Sequence, residues 1–219
     1  MSEISNIKAV LFDLDGTLID TEKYYCACWK TAIESQGYKV TNEQVLTLRS
    51  LGRPFAPDHI KKMLNDPNAD YKAIRDKRIE LMNKMIAENG IQLKSGAVKL
   101  LDFLKKKGIT IAIATASDLE RTEKYLKEVG IYEYFDRFIS CTMVKFGKPA
   151  PDVYIYACKE LGLYNNECIA IEDSPNGVKS AFDAGLKVIM VPDQSEPDEE
   201  TEKMLWKKAE SLDKIIELI

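Results

Sequence analysis

Short apolar, β-branched runs recur along the chain at 7–12 (IKAVLF), 109–114 (ITIAIA), 168–171 (CIAI) and 187–191 (KVIMV), with a weaker one at 137–141 (RFISC). Runs of this length without polar alternation predict strands covered on both faces. Between them the period becomes helical. Ala97, Leu100, Leu101 and Leu104 fall on one helical stripe that stops at Gly108, and DLERTEKYLKEVG, PDVYIYACKELG and NGVKSAFDAG end at Gly130, Gly162 and Gly185, residues suited to close a helix. Strand and helix in alternation predict an α/β fold: a doubly wound parallel sheet, Rossmann-like, with right-handed helical crossovers on both faces. Such sheets bind ligands beyond the carboxyl ends of their strands.

Residues 20–90 break the rhythm. DTEKYYCACWKTAIESQG reads as a helix, and Tyr71, Ile74, Leu81, Met82, Met85 and Ile86 mark a second, longer amphipathic one. A strandless stretch of this length directly after the first strand predicts an inserted α-helical cap. The expected division is therefore a catalytic core from 1–19 and 91–219 and a cap over 20–90, with the return hinge at 91–96. The acidic SEPDEETEK at 195–203 predicts a solvated turn or helix start.

Polar groups wait at the strand ends. The first run leads into FDLDGTLID, which crowds Asp13, Asp15 and Asp20; the second ends in Thr115, Ala116 and Ser117. Lys148 follows the third in FGKPAPD, and Glu172 and Asp173 follow the fourth in IEDSPNG. Crowded carboxylates repel one another, so something must compensate them. A hard cation does so: Asp13, Asp173 and Glu172 offer oxygen ligands suited to Mg²⁺.

With that ion, the set suits phosphoryl transfer, which needs charge compensation more than covalent ingenuity. Asp13 could attack phosphorus to give an aspartyl-phosphate, while Asp15 serves as general acid and then as general base for water. Gly16 lets the backbone turn close to the ligand, and Thr17 offers a hydroxyl. Ser117 and Glu120 match a capping box, so Ser117 is expected to open a helix whose free N–H groups face the phosphate beside the Thr115 hydroxyl. Lys148 adds a positive charge whose approach Pro149 and Pro151 stiffen.

The remaining composition excludes other classes. A formal charge of −4 gives no basic stripe for nucleic acid. No apolar stretch approaches the roughly 20 residues of a membrane span, and MSEISNIKAV does not read as a signal peptide. The 5 cysteines are an odd number without metal-ligand spacing, which predicts reduced packing residues in a cytoplasmic protein. The single histidine, His59, sits in a helical context and leaves no base for Ser-His-Asp chemistry.

Taken together, these motifs resemble the haloacid dehalogenase (HAD)-like hydrolase superfamily in its helical-cap branch, near the β-phosphoglucomutase-like and phosphatase group. DLDGTLID is similar to its first motif, TAS at 115–117 to the second, Lys148 in GKPAPD to the third and Glu172-Asp173 in EDSPNG to the fourth. The resemblance implies an Mg²⁺-dependent nucleophile at Asp13, acid and base work at Asp15 with its backbone carbonyl on the metal, phosphate contacts from Thr115 and Lys148, and metal ligation by Glu172 and Asp173. Dehalogenases of the family do not need the second carboxylate, so Asp15 argues against them. Phosphonate-cleaving relatives use a cap lysine, but Lys23, Lys61 and Lys62 stand in no context that marks one out.

Mutases of the group carry a histidine where this chain has Tyr25, and a phenol relays protons poorly near neutrality. Tyr24 and Tyr25 are candidates to face the site, and Arg53 lies where cap arginines approach the substrate's distal part. The resulting expectation is a phosphatase acting on a small phosphorylated metabolite, a sugar phosphate or nucleotide-like monoester. A phosphosugar mutase is the alternative, and a non-catalytic phosphate-ligand-binding protein the second alternative. Oligomeric state is left open; a monomer suffices for such a site.

Overall fold

The computed structural model describes residues 6–219. Its sheet has six parallel strands in the order β3-β2-β1-β4-β5-β6: β1 (Ala9–Phe12), β2 (Thr110–Thr115), β3 (Arg137–Ser140), β4 (Cys168–Glu172), β5 (Lys187–Met190) and β6 (Lys207–Lys208). Five of these coincide with the apolar runs. The sixth was not expected: it is two exposed lysines at the sheet edge, with no apolar pattern to betray it, and edge lysines discourage further pairing.

Alternation along β2 and β4, and partly along β1, sorts the side chains by size. Val10, Phe12, Ile111, Ile113, Ile169, Ile171 and Ile189 face one layer, where they meet Leu100, Leu101 and Leu104 of α5 (Ala97–Lys106) and Leu126 of α6 (Leu119–Glu128). Ala9, Ala112, Ala114 and Ala170 face the other, against Val153 and Ala157 of α7 (Asp152–Leu161) and Val178 and Ala181 of α8 (Pro175–Asp183). Large branched side chains fill one interlayer space, and small ones admit the second pair of helices close to the sheet. A short α9 (Glu199–Met204), opened by Asp198 as N-cap, lies in the acidic segment.

Between β1 and α5 come α1 (Glu22–Glu34), α2 (Asn42–Leu46), α3 (Phe55–Met63) and α4 (Tyr71–Asn89). They enclose a cluster of their own that includes Ala32, Ile33, Val45, Leu48, Ile60 and Ile74. The outgoing and returning segments pair: Asp20 N–H donates to Gln92 O at 2.8 Å and Lys94 N–H to Leu18 O at 2.9 Å. His59 lies within α3, half-buried, with its ring 2.6 Å from the Thr47 hydroxyl. No helix among the described residues is long and apolar enough to cross a membrane, and all five cysteines are unbridged.

The helical insertion also meets the core directly. Gly52 N–H donates to Lys148 O at 2.8 Å, Gly147 N–H to Arg53 O at 2.7 Å, and the Asn176 side-chain amide to Arg49 O at 2.8 Å. Both glycines are required there, because a Cβ on either would overlap the backbone of the other.

Candidate active site

Strand β1 is central, and the chain order reverses between it and β4, so its carboxyl end opens at a topological switch point. Asp13 is the first residue beyond it and extends the ladder, its N–H donating to Ile171 O at 3.0 Å. The register, with Phe12 opposite both Ile113 and Ile171, brings Asp13 level with the ends of β2 and β4, where Thr115, Glu172 and Asp173 emerge.

Lys148 joins them from the loop before α7, with none of its side chain exposed. Its ammonium donates to Asp13 Oδ1 and to Glu172 Oε1, both at 2.6 Å. Glu172 Oε1 also accepts from the Tyr154 hydroxyl at 2.5 Å. Burial alone would lower the lysine's affinity for its proton, but the Asp13 and Glu172 carboxylates outweigh it and hold Lys148 above the usual range. Burial pushes Asp13 up to about 8, Lys148 opposing and Glu172 adding repulsion. Asp173 is also raised, first by burial and then by Glu22.

Three ligand oxygens, one each from Asp13, Glu172 and Asp173, lie within 4.8 Å of one another. Asp13 Oδ2, Glu172 Oε2 and Asp173 Oδ2 are buried without a hydrogen-bond partner, an arrangement costly for acids unless a cation compensates them. The residues therefore fit a hard divalent ion such as Mg²⁺. Two glycines make room: a Cβ on Gly16, which has φ +86°, would overlap Asp173, and one on Gly177 would overlap the Glu172 carboxyl group.

Asp15 lies beside this cluster rather than in it. Its Oδ1 accepts from the Thr21 hydroxyl at 2.6 Å and its Oδ2 from the Ser117 hydroxyl at 2.5 Å, with Arg121 Nη2 at 3.4 Å. Ser117 thus departs from the expected helix-opening role. Asp118 caps α6 instead, its Oδ1 accepting from Arg121 N–H at 2.9 Å, which frees the Ser117 hydroxyl for Asp15. The Thr115 hydroxyl is buried and accepts from Ser117 N–H at 3.0 Å.

These groups line a cavity of about 160 Å³ between core and insertion, bordered by Asp13, Asp15, Thr115, Ala116 and Ser117 on one side and by Tyr25 and Arg53 on the other. The buried Tyr25 hydroxyl has no partner, and burial pushes it upward, away from proton exchange near neutrality. Tyr24 does not line the cavity; it packs half-buried against the core.

A family model described as "haloacid dehalogenase-like hydrolase" matches residues 7–185. The chain belongs to that family. Among relatives of this HAD-like hydrolase, Hexitol phosphatase A of Escherichia coli is 34% identical over 184 residues, 84% of this chain and 82% of that one. The Phosphorylated carbohydrates phosphatase of Thermotoga maritima is 28% identical over 187 residues, 84% of each chain. The crystal structure of CbbY from Rhodobacter sphaeroides in complex with phosphate superimposes with a TM-score of 0.75 at 28% identity, covering 95% of this chain and 96% of that one.

The HAD-like site also holds groups that the motifs did not reveal. Glu22, at the start of α1, is buried and raised, first by burial and then by Asp15, with Arg49 opposing. Arg49 is buried as well, its Nη1 3.6 Å from Asp173 Oδ2. Arg121 stands 5.1 Å from the Tyr25 ring and also donates to Ser117 Oγ. Arg78 of α4 lies 5.1 Å from the same ring.

Proposed function

We propose that this HAD-like hydrolase is a phosphatase of a small phosphorylated metabolite, a sugar phosphate or nucleotide-like monoester, working through an aspartyl-phosphate on Asp13. The observation that carries the reading is the buried Asp13–Lys148–Glu172–Asp173 cluster, with unpartnered carboxylate oxygens, whose Asp13 lines a cavity that is also bordered by guanidinium groups. The phosphatases named among its relatives support it.

In this reading Asp13 and Asp173 would hold Mg²⁺, together with the Asp15 carbonyl and Glu172. When bound, the ion supplies charge compensation for the phosphoryl oxygens. Lys148 orients Asp13 and offers a donor to the phosphate, joined by Thr115 and the 116–117 backbone. Asp15, oriented by Thr21, Ser117 and Arg121, gives a proton to the leaving oxygen and later takes one from water. Helices from 20–90 serve as the cap: Tyr25 and Arg53 face the substrate's distal part, and the cover excludes bulk water.

Phosphate release from a panel of phosphorylated metabolites with Mg²⁺ tests this. Asp13→Asn should abolish turnover while remaining folded; full activity in that variant refutes the nucleophile. Isomerisation of a hexose 1-phosphate, primed with bisphosphate and yielding no free phosphate, would make the protein a mutase. A folded wild-type protein that releases phosphate from nothing would make it a ligand-binding protein.

A further inference from the structure

Asp173, placed above among the metal ligands, already has a cation beside it. Arg49 Nη1 stands 3.6 Å from Asp173 Oδ2, with the arginine 3% exposed and the aspartate 1%. The other groups that act on this carboxylate are the Thr17 hydroxyl, which donates to Oδ1 at 3.5 Å, and the acids Glu22, Asp13 and Glu172. Lys148 is committed to Asp13 and Glu172. Among the described residues, Arg49 is thus the cation paired with Asp173, and it comes from the helical insertion rather than from the core.

Several contacts hold Arg49 in place. Its Nη2 donates to the Ser195 hydroxyl in the loop after β5, and its carbonyl accepts from the Asn176 side-chain amide in the first turn of α8. The next residue, Ser50, takes φ +52°, a left-handed backbone that is unfavourable for a residue with a side chain. Gly52, two positions on, then meets Lys148 O. One strained turn therefore delivers a guanidinium to a metal ligand and docks the insertion's backbone on the lysine loop. Arg49 Nε and Nη1 make no hydrogen bond, so its hold on Asp173 is electrostatic rather than a locked fork. Glu22 is a second acid on which it acts.

A divalent ion bound through Asp173 is repelled by this guanidinium across a site with little water to screen the two. The repulsion on a double charge is about twice that on a proton held by the same carboxylate, so protonation of the ligands does not reverse the sign. Coupling of this kind is reciprocal. If Arg49 lowers the affinity for metal, metal lowers the affinity of Arg49 for Asp173, and with it the hold of the insertion on the core.

We propose that Arg49 competes with the metal for Asp173, so that Mg²⁺ entry loosens the docking of the insertion around residues 47–53 and the docked insertion restrains metal affinity. The proposal rests on the metal site described above and assigns Arg49 to its regulation, as a counter-ion rather than as a ligand or a substrate contact. Removing the arginine's charge should tighten Mg²⁺ binding by about 5- to 150-fold, the usual span of such couplings.

The test measures Mg²⁺ binding by calorimetry in wild type, Arg49→Met and Arg49→Lys, with circular dichroism to check folding. Arg49→Met should bind Mg²⁺ more tightly by that factor, and Arg49→Lys, which keeps the charge, should stay within about threefold of wild type. Hydrogen exchange gives a second readout: Mg²⁺ should speed exchange of the Gly52 amide, which is bonded to Lys148 O, in wild type and leave it unchanged in Arg49→Met. Equal or weaker Mg²⁺ binding by Arg49→Met overturns the proposal, as does an equal gain in Arg49→Lys or slower Gly52 exchange in wild type on adding Mg²⁺. If Arg49→Met does not fold, the wild-type exchange decides alone, faster exchange supporting the competition and unchanged or slower exchange refuting it. Absence of Mg²⁺ binding by both wild type and a folded Arg49→Met refutes the metal site itself and the competition with it.

Discussion

Replacing Lys148 by methionine removes a buried ammonium and keeps most of its volume. Two carboxylates lose a donor at 2.6 Å, and neither lies where water can replace it: Glu172 is fully buried and Asp13 is 1% exposed. Breaking a buried ion pair from one side costs about 3–5 kcal/mol. An independent bound has a similar size. A carboxyl group of ordinary pKa near 4 that must take up a proton to stay buried costs at most about 4 kcal/mol at pH 7, and about 1.4 kcal/mol at pH 5.

The sign follows from linkage. A carboxyl whose folded pKa is raised contributes stability that is complete below its unfolded pKa and is lost as pH rises through the folded one, so the deficit of the variant should grow from pH 5 to pH 7. Urea denaturation in EDTA reads it directly. For a chain of this size, the pH 7 loss corresponds to a fall of about 6–20 °C in Tm. Adding Glu172→Gln to Lys148→Met should recover part of the loss, because it removes one stranded acid. A deficit below about 1 kcal/mol at pH 7, or one that shrinks as pH rises, would show that Lys148 does not neutralise these acids.

Gly177→Ala should destabilise by about 1–3 kcal/mol in the same assay, since its methyl group would overlap the Glu172 carboxyl group in a site that cannot expand. In EDTA, the raised Asp13, Glu22 and Asp173 should make the protein lose stability from about pH 5 to pH 8, and added Mg²⁺ should raise Tm more at pH 8 than at pH 5, because the ligands must shed their protons to bind it. Equal Mg²⁺ stabilisation at the two pH values would count against this cluster as the metal site.

The groups at the floor of the site were readable because each follows a recognisable element directly. Asp13, Thr115 and Glu172 sit at the ends of β1, β2 and β4, so locating the apolar runs located them; Lys148 was marked by the prolines around it. The helix after β2 shows where local rules stop. In SDLE both Ser117 and Asp118 are competent caps, and Glu120 completes a box only with Ser117, yet the structure caps with Asp118. Tertiary demand decides the register: Asp15 uses the Ser117 hydroxyl, and the next residue takes over the helix. Strand β6 had no period to read, since an exposed edge pair needs no apolar face.

Charged residues buried across the two layers were the hardest to see, because partner and burial are set by distant segments. Glu22 in a first helical turn reads as an ordinary match to the helix dipole, and nothing local says that it will be buried within the electrostatic influence of Asp15 and Arg49. Arg78 is different. The buried residues of α4 are Ile74, Arg78, Met82 and Ile86, so the arginine occupies one step of a regular four-residue ladder whose other positions are apolar. A cation in a buried stripe breaks the binary pattern, and a fold keeps such a violation only where something compensates it. Arg78 meets the Tyr25 and Trp29 rings of α1, so the exception is set by packing against a distant helix that no local period reveals.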